Sequence, residues 1–368
     1  MFLHALCLGE VQSVLTFISS IIILILSANS ILIPTFIWTW ISSSLITFVF
    51  YFILVILLTR WLARGGQYPE IHTTNLDGQT FLITGAAGGI GKETAFELAK
   101  RGARVILFAR STKINEIVNE AKKVARSSDN VTGYSLDLAD LRSIKSCVEK
   151  FMKNENENIK ITALINNAGV MACPYGKTKD GFELQMGTNH FGHFYFTQLL
   201  LSRLRSARIV NVSSAAHGMW RVPCDEFHYN QMYNSNTYHR WSAYSLSKTA
   251  NILFTRELQR RYSTSYNIHA YSLHPGTVNT ELDRHLGTSD IMRKIATPIR
   301  YILFKTPLEG AQTTLYCALS NKAKPGEYHV ECQPTSVLQK YAEDDRLAQQ
   351  WWDYSEKMIN EKLKEIEK

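Results

Sequence analysis

Two hydrophobic rhythms divide the chain. Residues 11–58 carry no charge at all. The run is long enough for two membrane-spanning helices of ~20 residues each. One span reads as roughly 11–26 and the other as roughly 36–58, with Ser27-Ala28-Asn29-Ser30 and Pro34 turning the chain between them. A single span is the alternative. The stretch far exceeds the ~7–15-residue apolar core of a cleaved signal peptide. Trp38, Trp40 and Tyr51 suit either an interfacial or a lipid-facing position, and Arg60 and Arg64 follow directly. Basic residues just past a span favour the cytosolic side, so two spans put both termini in the cytosol. Gly65-Gly66-Gln67-Tyr68-Pro69 reads as a linker.

Beyond the linker, short apolar runs alternate with segments of helical spacing. Strands are expected at 81–84, 104–109, 131–136, 161–165, 209–212 and 268–273. Helices are expected at 92–101, through Ala125, after Asp140, at 189–204, at 242–262 and at 306–320. Asp140 is placed to cap a helix bearing Ile144, Val148 and Phe151. Continuous apolar strands joined by helices predict an α/β fold, a doubly wound (Rossmann-type) parallel sheet with helices on both faces. The expected organisation is an anchor over 1–66, a nucleotide-binding domain over 76–335 and a C-terminal amphipathic helical tail over 336–368. The tail packs on the core, on a membrane surface or on a partner helix.

Composition narrows the function classes. The net charge is +8 over 368 residues, but the lysines and arginines are dispersed and no aromatic-basic motif accompanies them. Nucleic-acid binding is therefore disfavoured, while affinity for anionic phosphates on a cofactor or a lipid headgroup fits. The six cysteines lie far apart, and His217, His228 and His239 lack ligand spacing. Neither a disulfide framework nor a metal site is expected, which suits a reducing compartment.

The chemistry sits at strand ends. Gly85-Ala86-Ala87-Gly88-Gly89-Ile90-Gly91 closes the first strand and opens a helix. Glycines there let a pyrophosphate approach the helix N-terminus, whose free N–H groups favour an anion. The end of the second strand reads Phe108-Ala109-Arg110, where an acid would hold a ribose 2′-hydroxyl. An arginine instead suits the 2′-phosphate of NADP(H), or is simply a surface residue ending the strand. Asp137-Leu138 suits an adenine contact, although Asp137 could equally cap a helix. Asn166-Asn167-Ala168-Gly169 ends the fourth strand, Ser213-Ser214 ends the fifth, and Tyr244 and Lys248 open the next helix. Residues four apart share a helix face, and a nearby cation lowers a phenol's pKa toward neutrality. A phenol tuned this way can exchange a proton with a substrate oxygen.

This combination resembles the short-chain dehydrogenase/reductase family over residues 79–330, and within it the microsomal retinol dehydrogenase group. The likeness rests on Leu164-Ile165-Asn166-Asn167-Ala168-Gly169-Val170-Met171, Thr188-Asn189-His190-Phe191-Gly192-His193-Phe194, Leu253-Phe254-Thr255-Arg256-Glu257-Leu258 and His274-Pro275-Gly276-Thr277-Val278. It implies Tyr244 as general acid/base, Lys248 as its pKa-lowering partner and ribose ligand, and Ser214 as the group orienting the substrate oxygen. It implies Asn189 as the holder of a helix kink and of a proton-relay water. Pro275, Gly276 and Thr277 would line the nicotinamide side. The expected activity is interconversion of a lipophilic alcohol and its aldehyde or ketone with NADP(H) at a bilayer. Retinol/retinal is favoured over a sterol or another lipid carbonyl, in the endoplasmic reticulum with the catalytic domain facing the cytosol. The oligomeric state is open, a homodimer being one candidate. A non-catalytic membrane scaffold on a nucleotide-binding fold is the rival class, and the joint presence of Ser214, Tyr244 and Lys248 argues against it. The 225–241 segment is longer than that group's and leaves substrate identity open.

Overall fold

The computed structural model describes residues 37–220, 224–280, 282 and 290–367. The first expected span, the turn after it and Pro34 lie outside those residues. Two compact units result: 1–65 with 290–305, and 66–289 with 306–368.

The first unit contains α1 (Ile37–Arg64), a helix long and apolar enough to cross a membrane over Thr47–Arg64. Phe48, Phe50, Leu57 and Trp61 stand exposed along it.

The second unit is built on one sheet. Its strands are β1 (Thr80–Thr84), β2 (Arg104–Ala109), β3 (Val131–Ser135), β4 (Ile161–Asn166), β5 (Arg208–Val212), β6 (His269–His274), β7 (Tyr328–Val330) and β8 (Gln333–Thr335). They lie in the order β3-β2-β1-β4-β5-β6-β7-β8, all parallel except β8 against β7. β1 pairs with β2 on one side and β4 on the other, so strand order reverses between β1 and β4. In such sheets a crevice opens at that point, outside the carboxyl ends of the strands.

The connections supply both helical layers. α2 (Gly89–Lys100) and α3 (Ser111–Val124) follow β1 and β2; α4 (Leu141–Asn154) follows β3. The chain between β4 and β5 holds α5 (Leu184–Met186), a π-turn (Gly187–Phe191) and α6 (Gly192–Leu200), so the helix begins earlier than the apolar run alone suggested. α7 (Glu226–Tyr233) lies within the 225–241 segment, where Asp225 caps it and Tyr229 and Met232 bury its inner face. α8 (Arg240–Tyr262) and α10 (Pro307–Leu319) complete the layers around β6. α9 (Asp290–Leu303) groups with α1 in the first unit.

Asp140 caps α4 through the amides of Arg142 and Ser143. α11 (Asp345–Ile366) packs along α8, with Trp351 and Trp352 buried among Phe194, Phe254 and Tyr229. Of the surfaces left open for the C-terminal helix, it takes the core.

Candidate active site

The glycine turn is shaped by what cannot fit. Gly85 has φ +67°, and a Cβ there would lie 2.7 Å from the Ala168 Cα. At Gly91 a Cβ would lie 2.4 Å from the Asn167 amide nitrogen and 2.5 Å from the Gly85 oxygen. Side chains at either site would force the turn off β4. Gly88, by contrast, faces open space, and α2 begins there without a side-chain cap. The uncapped start of a helix beside open space fits a phosphate. Ala86 is buried, Ala87 exposed and Ile90 half-buried against Gly310 of α10.

Thr84 ties this turn to β4. Its Oγ1 accepts from the amides of Asn167 (3.0 Å) and Ala168 (3.1 Å), while the Asn167 side chain donates to the Thr84 carbonyl (2.9 Å). Thr84 Oγ1 also meets His193 Nε2 at 2.8 Å, and His193 Nδ1 meets the Asn189 carbonyl at 3.0 Å. A carbonyl only accepts, so Nδ1 carries the proton and Nε2 receives the Thr84 hydroxyl. Burial pulls the His193 pKa down to about 4, which keeps the ring neutral. Sequence alone assigns no role to Thr84 or His193; the signal was the polar residue ending an apolar strand and a histidine four positions after Asn189.

Asn189 sits in the π-turn, fully buried. Its side chain exchanges two hydrogen bonds with the Val170 backbone (2.8 and 2.9 Å) and donates to Ser247 Oγ at 3.0 Å. Ser247 in turn donates to the Tyr244 carbonyl. A Cβ on Gly169 would lie 3.2 Å from Asn189 Oδ1 and 3.6 Å from Lys248 Nζ. The strand-end glycine thus admits both groups.

Tyr244 and Lys248 share one face of α8, the ammonium 5.6 Å from the phenol ring centre. Lys248 Nζ donates to the Val212 carbonyl at 3.0 Å. The two serines differ: Ser213 is buried and donates to the Lys248 carbonyl (2.7 Å), whereas Ser214 is half-buried and its hydroxyl interacts with Tyr244. Ser214 also caps the turn Ala215–Gly218.

One expectation is reversed. The phenol pKa is not lowered by the lysine: burial pushes Tyr244 up to about 12, against a smaller downward pull from the Ser214 hydroxyl. Burial also drags Lys248 down to about 8. Desolvation penalises both charged forms, and it is the largest influence on each.

The remaining residues fall around the same crevice edge. Arg110 is exposed at the end of β2 and starts α3. Asp137, half-buried, accepts from the Ala139 amide, while Asp140 does the capping. Leu138 is buried against Gly192. Pro275 and Gly276 are buried and Thr277 half-buried after β6.

Fold and site together define a dehydrogenase, and the chain belongs to the short-chain dehydrogenase family. The family model for short chain dehydrogenases matches residues 79–224. Human retinol dehydrogenase 11 is 42% identical over 288 residues, covering 77% of this chain and 86% of that protein. Human retinol dehydrogenase 14 is 39% identical over 316 residues, covering 81% and 90%. An uncharacterised protein from Mycobacterium paratuberculosis matches in structure with a TM-score of 0.60 and 35% identity, covering 79% of this chain and 97% of that one. The chain is accordingly an oxidoreductase acting on CH–OH groups with a nicotinamide dinucleotide.

Proposed function

We propose that this oxidoreductase is membrane-anchored, uses NADP(H), and interconverts a lipophilic alcohol with its aldehyde or ketone, retinol and retinal being the favoured pair. The observation that carries the chemistry is the meeting of Ser214, Tyr244, Lys248 and Asn189 beside the glycine turn, where strand order reverses. The names of the relatives support a retinoid. Arg110, exposed where an acid would select NAD, supports the 2′-phosphate. The glycine cradle, Asn167, Ala168 and Gly169, Asp137 and Leu138, and Pro275 to Thr277 are the residues that would hold the dinucleotide. α1 supports attachment to a bilayer, with Arg60 and Arg64 favouring a cytosolic catalytic unit on the endoplasmic reticulum.

When bound there, a nicotinamide dinucleotide would serve as hydride donor or acceptor. Ser214 orients the substrate oxygen, and Tyr244 passes it the phenolic proton. A raised pKa keeps that proton in place at neutral pH, which suits reduction of a carbonyl. Lys248 would hold the ribose side, and Asn189 would hold the helix kink and a water linking Lys248 to solvent, through which the spent proton is replaced. An anchor places this site beside substrates that partition into lipid.

Tyr244→Phe removes one hydroxyl from the reacting set. Turnover of all-trans-retinal should fall at least about a hundredfold, with NADPH affinity retained. Steady-state kinetics with NADPH fluorescence titration checks both; full activity would remove the mechanism. Arg110→Ala should weaken NADPH far more than NADH, and equal losses would reverse the cofactor assignment.

A further inference from the structure

Two tryptophans stand beside the reacting groups without a part in the scheme above. Trp241 lies in the first turn of α8, ahead of Tyr244 and Lys248 at helical spacing. Steps of three and four residues place all three on one helix face. Trp220 follows the turn Ala215–Gly218 that Ser214 caps. The two indoles stack, ring centres 5.3 Å apart and planes within 3°. The segments bearing the proton donor and the substrate-orienting hydroxyl are therefore joined by a pair of parallel aromatic planes.

Position along α8 gives the direction in which a substrate must extend. Lys248 marks one end of the face, packed against Gly169 and the Val212 carbonyl on the nucleotide side. A substrate whose oxygen reaches Tyr244 and whose body runs away from Lys248 would meet Trp241 one turn (~5 Å) toward the helix start. Trp220 packs against the edge of the core, yet the pair is less buried than the tryptophans inside it. Trp351 and Trp352, which serve the core, are each 2% exposed. Trp220 and Trp241 are only half-buried, leaving indole surface available to a ligand.

We infer that the Trp220–Trp241 pair is a substrate subsite that holds a flat, apolar body, a conjugated polyene or fused ring, while Ser214 and Tyr244 engage the oxygen. The inference rests on the lipophilic-carbonyl reading above. Aromatic faces favour planar π systems, so the pair sets selectivity for conjugated substrates over short saturated ones.

The test uses the full chain in detergent, with all-trans-retinal and propanal as substrates. In Trp241→Ala and Trp220→Ala, the ratio of kcat/KM for retinal to that for propanal should fall about tenfold, the equivalent of roughly 1.4 kcal/mol, through KM. The Trp→Phe variants should recover most of it. A loss shared equally by both substrates would mean a mere clasp between α8 and the Ser214 turn and would overturn the inference. A second readout needs no turnover. Bound retinal quenches tryptophan emission, and the chain has seven tryptophans. In the Trp220→Phe/Trp241→Phe double variant, retinal-dependent quenching should drop by more than half; undiminished quenching would sink the subsite. If the parent reduces neither aldehyde, the functional reading fails, while the quenching comparison still decides the pair.

Discussion

Lys248 holds its charge at a cost. Burial lowers its pKa from 10.5 to about 8, and the Val212 carbonyl is its hydrogen-bond acceptor. The unfolded chain keeps this proton to higher pH than the folded one, so between the two pKa values stability rises with pH. At neutral pH the buried ammonium costs the fold on the order of 3 kcal/mol, a cost that fades as the folded chain loses the proton above about pH 8. Lys248→Met should therefore melt higher than the parent at about pH 7, with the gap shrinking toward about pH 9.5. Thermal unfolding at both pH values checks it; a constant gap would mean that the lysine is not titrating there. Tyr244 acts oppositely and later, because its raised pKa makes stability fall only as pH climbs from about 10 toward 12. Single residues were unevenly legible. The YxxxK spacing and the Asp140 cap could be read because their physics is local. The relative weight of burial and charge at Tyr244 could not, since desolvation depends on everything folded over the phenol. The link between Thr84 and His193 could not be read, because a buried hydrogen-bond chain joins residues far apart in sequence.

The elements divide by how much of their pattern they carry themselves. β1, β2, β4, β5 and β6 are buried along nearly their whole length; the first four read as largely apolar runs, whereas β6 mixes His269, Ser272 and His274 with its apolar residues. β7 and β8 have three residues each and leave no periodicity to read. α7 is short and polar, and its helical state comes from the Asp225 cap and from two residues buried against the core. α11 shows how far tertiary context decides. Its amphipathic spacing left three surfaces open, and the structure places it along α8 with Trp351 fully inside. The Trp351 indole donates to His190 Nε2 at 3.0 Å, one residue from Asn189 in the π-turn. Trp351→Ala should therefore destabilise the chain by about 3–5 kcal/mol, chiefly through the cavity left among the surrounding aromatic rings, since His190 Nε2 keeps Ser355 Oγ at 2.9 Å as a partner. Urea unfolding measures it, and a loss below about 1 kcal/mol would show that α11 is an attachment and not part of the core.

At the scale of the molecule, the first unit couples α1 to a helix drawn from far along the chain. α9 lies with α1, and the Arg60 guanidinium sits 4.9 Å above the Tyr301 ring. Along α9, Ile299, Tyr301 and Leu303 are 60, 57 and 49% exposed, while Arg300 is only half-exposed. Exposed apolar residues on a helix packed beside a span-length helix suit the headgroup boundary of a bilayer, where such a face is withdrawn from water. The sequence showed the anchor because an uncharged run is conspicuous. It hid α9, whose basic residues and Pro298 resemble a surface loop until the helix is seen with its partner. An environment-sensitive dye on Leu303→Cys should then shift to the blue in phospholipid vesicles, whereas the same dye on Lys322→Cys, exposed in the other unit, should report water. Both labelled variants carry Cys7→Ser, since Cys7 lies outside the described residues, while the other five native cysteines are buried or half-buried. Water-like emission from position 303 would mean that α1 alone makes the membrane contact, and that the apolar side of α9 awaits another neighbour.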